Sequence, residues 1–317
     1  MWNWTRRLAL FLLALLVLSG VVGHIRAMSE TAPYDLVEIA PGRTLHALCE
    51  GPEDAPFVLY DAGAFGIYAD GWWIKEDLKE DFRVCLYDRA GMGWSPAPPK
   101  GESPSAHFHV EDMRMLKDAL GASGPIYLIG HSMAGLRLHT WANRYPDELA
   151  GLIFIDAARP QSFDLEADPP FWIKLAGPVM SIGKFTARIG LNRALVPLMG
   201  DPLDLPTQQA NDKKRSAAIL SHIAATKAEI TAAPLSVEYY RDTKAEAIPT
   251  SVFAATRSGG SNAITAIEAE KATGFGRINP LPDETHVSLL SKPIAKAIAE
   301  DLRAMHQHNL RLQSPDE

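Results

Sequence analysis

A doubly wound α/β sheet is the fold class that this sequence predicts, from three observations. Short apolar runs recur behind prolines: Phe57-Val58-Leu59-Tyr60 after Pro56, Ile126-Tyr127-Leu128-Ile129 after Pro125, and Thr250-Ser251-Val252-Phe253 after Pro249. Proline is tolerated at the first residue of a strand. The runs are continuous rather than alternating, as in parallel strands buried on both faces. Helical periodicity lies between them, and strand alternating with helix is the signature of a sheet covered by helices on both sides.

The elements follow in order. Asp35 to Glu50 reads as an antiparallel pair turning at Pro41-Gly42. Phe82 to Tyr87 and Leu152 to Ile155 read as further buried strands. Leu138, Trp141, Ala142 and Tyr145 fall at i, i+3, i+4 and i+7 of a helix that Pro146 stops. A short strand is expected near Arg277 to Asn279. Ile294, Ile298 and Leu302 line one face of a last helix that opens with Pro293. From Ala157 to Ile248 no strand pattern appears. That stretch holds two helical patterns, Phe171/Leu175/Val179/Ile182 and Ile219/Ile223/Ile230, among loops rich in Pro, Asp and Gly. About ninety residues between two strands of one sheet read as a cap, either a packed appendage or a lid over a site.

Composition bounds the function. Of the 317 residues, 47% are hydrophobic and 22% charged, which are globular values. A net charge of −7 argues against nucleic-acid binding, because phosphate neutralisation needs a basic surface. Two cysteines cannot build a Cys-rich zinc site, no His/Asp/Glu cluster has metal-ligand spacing, and no Gly-rich loop suits a dinucleotide. No metal and no cofactor are expected.

The first thirty residues stand outside the fold. Arg6-Arg7 precedes eleven apolar residues, Leu8 to Leu18, and Val21-Val22 resumes after Ser19-Gly20. A helix from Leu8 to Ile25 would span about 27 Å, close to the bilayer's hydrocarbon core of about 30 Å. Residues 1–30 are therefore a membrane anchor or a cleaved signal peptide. Either way Arg6-Arg7 stays inside, and residues 31–317 face the exported side or are released there.

The chemistry gathers at strand ends. After Ile126 to Ile129 comes Gly130-His131-Ser132-Met133-Ala134-Gly135, then a helix. Small residues at 130, 134 and 135 allow a sharp strand-to-helix turn that exposes Ser132 as a nucleophile. A serine hydroxyl needs a base. His286, in Leu281-Pro282-Asp283-Glu284-Thr285-His286, lies between a last strand and the last helix, at the sheet edge where α/β sites collect. His131 adjoins the serine and is expected to diverge from it. The loop Thr256 to Asn262 contains no carboxylate. Asp156, ending Ile153-Phe154-Ile155, stands on the sheet's carboxyl edge and can orient His286; its rival role is structural, at the start of the cap. An oxyanion hole needs two backbone N–H groups. Met133 supplies one, and Ala64 in Asp61 to Gly66 is the candidate for the other.

With these residues in view, the chain resembles serine hydrolases of the α/β-hydrolase superfamily. It is especially similar to exported bacterial members with a D-R-A-G-[YM]-G-W-S segment, here Asp88-Arg89-Ala90-Gly91-Met92-Gly93-Trp94-Ser95. The resemblance implies the α/β-hydrolase fold, a mostly parallel sheet with a helical cap at about 157–248, inserted before the penultimate strand. It implies Ser132 as nucleophile, Asp156 as acid, His286 as base, and Met133 and Ala64 as oxyanion donors. One departure is Ala62-Gly63 where relatives carry His-Gly, with Asp61 ahead; Asp61 is expected to point away from the hole. Asp88-Arg89 reads as a structural turn. Relatives that open epoxides or displace halide use Asp at the elbow, so Ser132 disfavours those reactions. In this strand order Arg43 to Glu50 neighbours Phe82 to Tyr87, so Cys49 and Cys85 either form a disulfide or remain two buried thiols.

The expected function is hydrolysis of a carboxylic ester with an apolar acyl group, a small-molecule substrate. Phe163, Phe171, Trp172, Leu175 and Met180 are candidates for an acyl-binding wall. Acyl transfer or lactone hydrolysis by the same triad is a second reading, and a non-catalytic ligand-binding homologue a third.

Overall fold

The computed structural model describes residues 2–164, 171–236 and 245–314. Its strands are β1 (Asp35–Ala40), β2 (Arg43–Glu50), β3 (Phe57–Asp61), β4 (Arg83–Tyr87), β5 (Ile126–His131), β6 (Leu149–Ile155), β7 (Thr250–Ala254) and β8 (Gly276–Pro280). They form one sheet in the order β1-β2-β4-β3-β5-β6-β7-β8. The β1–β2 and β2–β4 pairs are antiparallel, and every later pair is parallel.

The apolar runs are continuous because both faces of the sheet are covered. Val58 and Tyr60 of β3 face one side, where they join Ile74 and Leu78 of α2 (Trp72–Leu78) and Ile298 and Leu302 of α10 (Lys292–Gln313). Leu59 faces the other side, with Val110 and Met113 of α3 (Ala106–Ala119) and Leu138 and Trp141 of α4 (Ala134–Arg144). This is the period-2 alternation of a strand, with an apolar partner on each face. The helix carrying Leu138 and Trp141 closes at Arg144, one residue short of the expected Tyr145. Tyr145 takes φ −137°, as a residue before proline is driven to do.

Between β6 and β7 the described chain forms helices and no strand: α5 (Phe171–Arg188), α6 (Leu191–Leu195), α7 (Thr207–Ala218) and α8 (Leu220–Ala232). Helix α9 (Ala263–Thr273) follows β7. The stripe Leu175/Val179/Ile182 on α5 is exposed rather than packed. The helix meets α8 on its other side, where a Cβ on Gly183 would lie 3.6 Å from Ile223 and Lys227 Nζ donates to Ser181 Oγ at 2.7 Å. Helix α1 (Trp2–Ser29) is apolar and exposed along most of its length.

Cys49 and Cys85 stand directly opposite each other in the β2–β4 ladder and are joined as a disulfide. Antiparallel pairing with this register brings their side chains to the same face, which neighbouring strands alone did not guarantee.

Candidate active site

The sharp turn after β5 puts Ser132 at φ 57°. A non-glycine residue avoids that region unless its surroundings hold it there. Here they do. The Ser132 N–H donates to Ile155 O at 3.0 Å, and its own carbonyl accepts from Ala158 N at 2.9 Å and Gly135 N at 3.1 Å. Gly135 is needed because a Cβ there would come 2.1 Å from Ala158 O. Asp156, just past β6, is likewise at φ 40°, and its N–H donates to Phe253 O at 2.7 Å. Phe65 in the loop after β3 is at φ 61°. Among the described non-glycine residues only these three and Asp204 have positive φ. Three of the four therefore lie at one end of the sheet, around one group of side chains.

That group is joined by hydrogen bonds. His286 Nε2 lies 2.9 Å from Ser132 Oγ, and His286 Nδ1 lies 2.6 Å from Asp156 Oδ2. With a carboxylate as acceptor, Nδ1 carries the proton and Nε2 is free to accept from the serine hydroxyl. The His286 hydrogen bond holds the Asp156 carboxyl below its ordinary range, against the opposing effect of its partial burial. His286 is exposed and Asp156 half-buried, so a solute can reach the pair from outside.

The loop Thr256 to Asn262, which brings no carboxylate, has another task. Ser261 Oγ and Asn262 Nδ2 both donate to Ala157 O, at 2.9 and 2.6 Å, and His139 Nε2 donates to Asn262 Oδ1 at 2.7 Å. They brace the strained turn that presents Asp156. His131 does leave the serine, as expected, yet it stays in the group. Its Nε2 lies 2.9 Å from the His286 carbonyl oxygen and the two rings are 4.5 Å apart. A carbonyl only accepts, so His131 carries its proton on Nε2. Burial, aided by the nearby His286, lowers its pKa to about 4 and keeps it neutral.

Gly63 packs on the serine: a Cβ there would stand 2.7 Å from Ser132 Cβ. The loop that follows β3 thus runs against the elbow, and Ala64 and Met133 share one apolar cluster with Phe163. Among the described residues neither the Ala64 nor the Met133 backbone N–H donates to another protein group. Phe163 is buried beside Met133, but Leu175 points outward. Leu175 therefore does not belong to a wall at this site, because the α5 face that packs on α8 is the opposite one. The side chains of Phe171 and Trp172 lie outside the described residues.

Asp61 does point away from this loop. It is buried with Arg89, Arg137 and Glu229, two cations and two anions. Arg137 pairs with both carboxylates, and Arg89 reaches Asp61 Oδ1 at 3.2 Å and Glu229 Oε2 at 3.2 Å. The guanidiniums also donate to the loop's carbonyls: Arg89 to Ala62 O at 2.6 Å and Gly63 O at 2.7 Å, Arg137 to Ala62 O at 2.7 Å. Arg89 is thus structural, as its place in a turn implied. Asp88 organises that turn by accepting from the N–H groups of Tyr68 at 2.8 Å and Trp94 at 3.0 Å. Gly93 lies so close that a Cβ would collide with the Asp88 carboxylate.

Glu229 comes from α8, and so does a second brace. His222 Nδ1 accepts from Gly93 N at 3.0 Å, so its Nε2 carries the proton and donates to Phe65 O at 3.2 Å. Burial lowers the His222 pKa to about 4 and keeps this neutral tautomer. His222, Thr226 and Glu229 are all buried, at helical spacing on α8.

A family model described as the alpha/beta hydrolase fold matches residues 56–178, from β3 into α5. The strand order and the neighbours among solved structures agree with it. The chain has the α/β-hydrolase fold. A thermophilic esterase from Thermogutta terrifontis superposes on this chain with a TM-score of 0.56 and 21% identity, covering 83% of this chain and 94% of the other. An epoxide hydrolase from Bacillus megaterium gives 0.58 and 16%, covering 84% and 97%. A proline iminopeptidase from Aeromonas sobria is 31% identical over 127 residues, 34% of this chain and 30% of its own length. The match covers only 20% and 16% of the first two curated relatives. Its relatives include hydrolases, and the substrate differs from one to the next.

Proposed function

We propose that this α/β-hydrolase is a serine hydrolase that cleaves a carboxylic ester with an apolar acyl group. The observation that carries the reading is the bridge of His286 between Ser132 Oγ at 2.9 Å and Asp156 Oδ2 at 2.6 Å. Ser132 Oγ attacks the carbonyl carbon while His286 Nε2 takes the hydroxyl proton. Asp156 holds the ring in the Nδ1–H tautomer and stabilises the imidazolium. The Met133 and Ala64 N–H groups receive the oxyanion. His286 then returns its proton to the leaving alcohol, and water cleaves the acyl-enzyme by the same route. A serine rather than a carboxylate at the elbow favours this acylation over the opening of an epoxide.

Labelling of the full chain by a fluorophosphonate, followed by a chain-length series of model esters, tests this reading. Ser132→Ala and His286→Ala each lower turnover by about 10⁶, by analogy with serine proteases, and Asp156→Asn by roughly 10⁴. A Ser132→Ala protein that still turns over at the wild-type rate would end it, and no labelling of a folded protein would favour a ligand-binding role.

We further propose that Asn3–Gly23, long and apolar enough to cross a membrane, is an anchor and that the body faces the exported side. The Cys49–Cys85 disulfide supports this, because such bonds persist in oxidising compartments. Intact mass of the isolated protein tells an anchor from a cleaved signal.

A further inference from the structure

We propose that α5 and α6 form a second membrane contact, a surface that docks on an anionic phospholipid bilayer beside the α1 span. The proposal rests on the reading of Asn3–Gly23 as a span, and it adds a surface that lies outside that segment.

The contact between α1 and the inserted helices sets the depth. Gly20 and Gly190 meet backbone to backbone: a Cβ on Gly190 would lie 2.5 Å from Gly20 Cα and 2.9 Å from Leu16 O. A Cβ on Gly23 would collide with the Arg193 side chain. With a rise of 1.5 Å per residue, Leu16 to Gly20 lie about 4 to 10 Å inside the Gly23 end of the span. The turn between α5 and α6 is therefore carried to that depth. Interfacial helices bury their apolar faces about 5–10 Å into the boundary between headgroups and acyl chains, which is the same range.

The exposed side chains there suit that environment. Leu175, Val179, Ile182 and Phe185 form one outward stripe on α5, with Ile182 65% and Phe185 63% exposed, and Leu198 beyond α6 is 80% exposed. The opposite face of α5 is already occupied by α8, so the stripe has no partner within the described chain. Charge points to the same occupant. In a chain of net charge −7, residues 171–200 carry Lys174, Lys184, Arg188 and Arg193 and no acidic residue. A segment that carries cations, no carboxylate of its own and an exposed apolar stripe suits an anionic membrane surface.

The test uses the full chain reconstituted in vesicles of phosphatidylethanolamine and phosphatidylglycerol. Both native cysteines are in the disulfide, so single cysteines introduced as Phe185→Cys and Leu198→Cys take an environment-sensitive fluorophore without reductant. Leu12→Cys reports the span and Asp54→Cys an exposed turn elsewhere. We expect a blue shift and loss of emission to spin-labelled lipid at Phe185, Leu198 and Leu12, and neither change at Asp54. Quenching at Leu12 with aqueous spectra at Phe185 and Leu198 overturns the docking surface alone. Aqueous spectra at all positions overturn the span as well. Replacing phosphatidylglycerol by phosphatidylcholine should weaken quenching at Phe185 while sparing Leu12. Equal quenching in both lipids removes the anionic headgroup from the proposal.

Discussion

His131 donates from Nε2 to the carbonyl oxygen of His286 at 2.9 Å, so the residue preceding the elbow serine holds the backbone of the histidine that faces it. In the proposed mechanism His131 is a positioning residue. His131→Ala should lower kcat/KM by about 10- to 100-fold, the scale of a misplacement near 1 Å. The loss should fall on kcat with KM little changed. His131→Gln keeps an N–H donor and should recover part of it. Equal losses in the two variants would point to folding rather than positioning.

Ser132 at φ 57° makes a prediction that separates chemistry from stability. Glycine accepts that backbone conformation at lower cost than alanine, by about 1 kcal/mol. Ser132→Gly and Ser132→Ala should be equally inactive, with the glycine variant melting higher. The reverse order in a thermal melt would deny that the elbow is strained.

Glu229 links α8 to the loop after β3 through Arg89 and Arg137. Glu229→Ala leaves two buried guanidiniums sharing Asp61, and breaking a buried pair costs about 3–5 kcal/mol. Denaturant unfolding measures that loss. Because both arginines hold carbonyls of the Ala62-Gly63 segment, ester hydrolysis in the surviving folded fraction should fall too. Unchanged specific activity per folded molecule would mean that this loop does not need the network.

Buried histidines set an acid limit. His131, His139 and His222 each have a folded-state pKa of about 4, all chiefly through burial. The ordinary value is near 6.5. Between pH 6.5 and 4 the unfolded chain binds more protons at these sites than the folded one. Stability from these groups is therefore full above pH 6.5 and is lost as pH falls. Each adds a slope of at most about 1.4 kcal/mol per pH unit. Tm should drop across this window, and His139→Gln should make the drop shallower. A flat Tm from pH 6.5 to 4.5 would contradict the neutral assignment.

Reduction of Cys49–Cys85 opens a loop with a sequence separation of 36 residues. The chain-entropy model puts its contribution at about 4 kcal/mol. Cys49→Ala/Cys85→Ala should be destabilised by that order without loss of the ester activity, because β2 and β4 meet away from Ser132. A double variant as stable as the wild type would mean that the bridge adds nothing.

Much was legible where the cause is local. The elbow could be read from Gly130, Ala134 and Gly135 because a sharp turn excludes side chains within a few residues of itself. Asp156 and His286 could be read because both follow the carboxyl ends of parallel strands, and parallel strands bring those ends to one edge. The stripe Leu175/Val179/Ile182 also announced itself by period, but period does not say what covers a face; only the packing of α5 on α8 turned it outward. His131, His222 and Glu229 carry no local signal at all. Their partners are 155, 157 and 140 residues away for His286, Phe65 and Arg89. Their tautomers and charges follow from burial that exists only in the folded chain. By itself the sequence determined the sheet and which strand ends face one edge, since turn sterics and strand direction act along the chain. Which neutral histidines and buried ion pairs hold that edge in place was decided by tertiary structure, because hydrogen bonds and desolvation depend on proximity in space and not on separation in sequence.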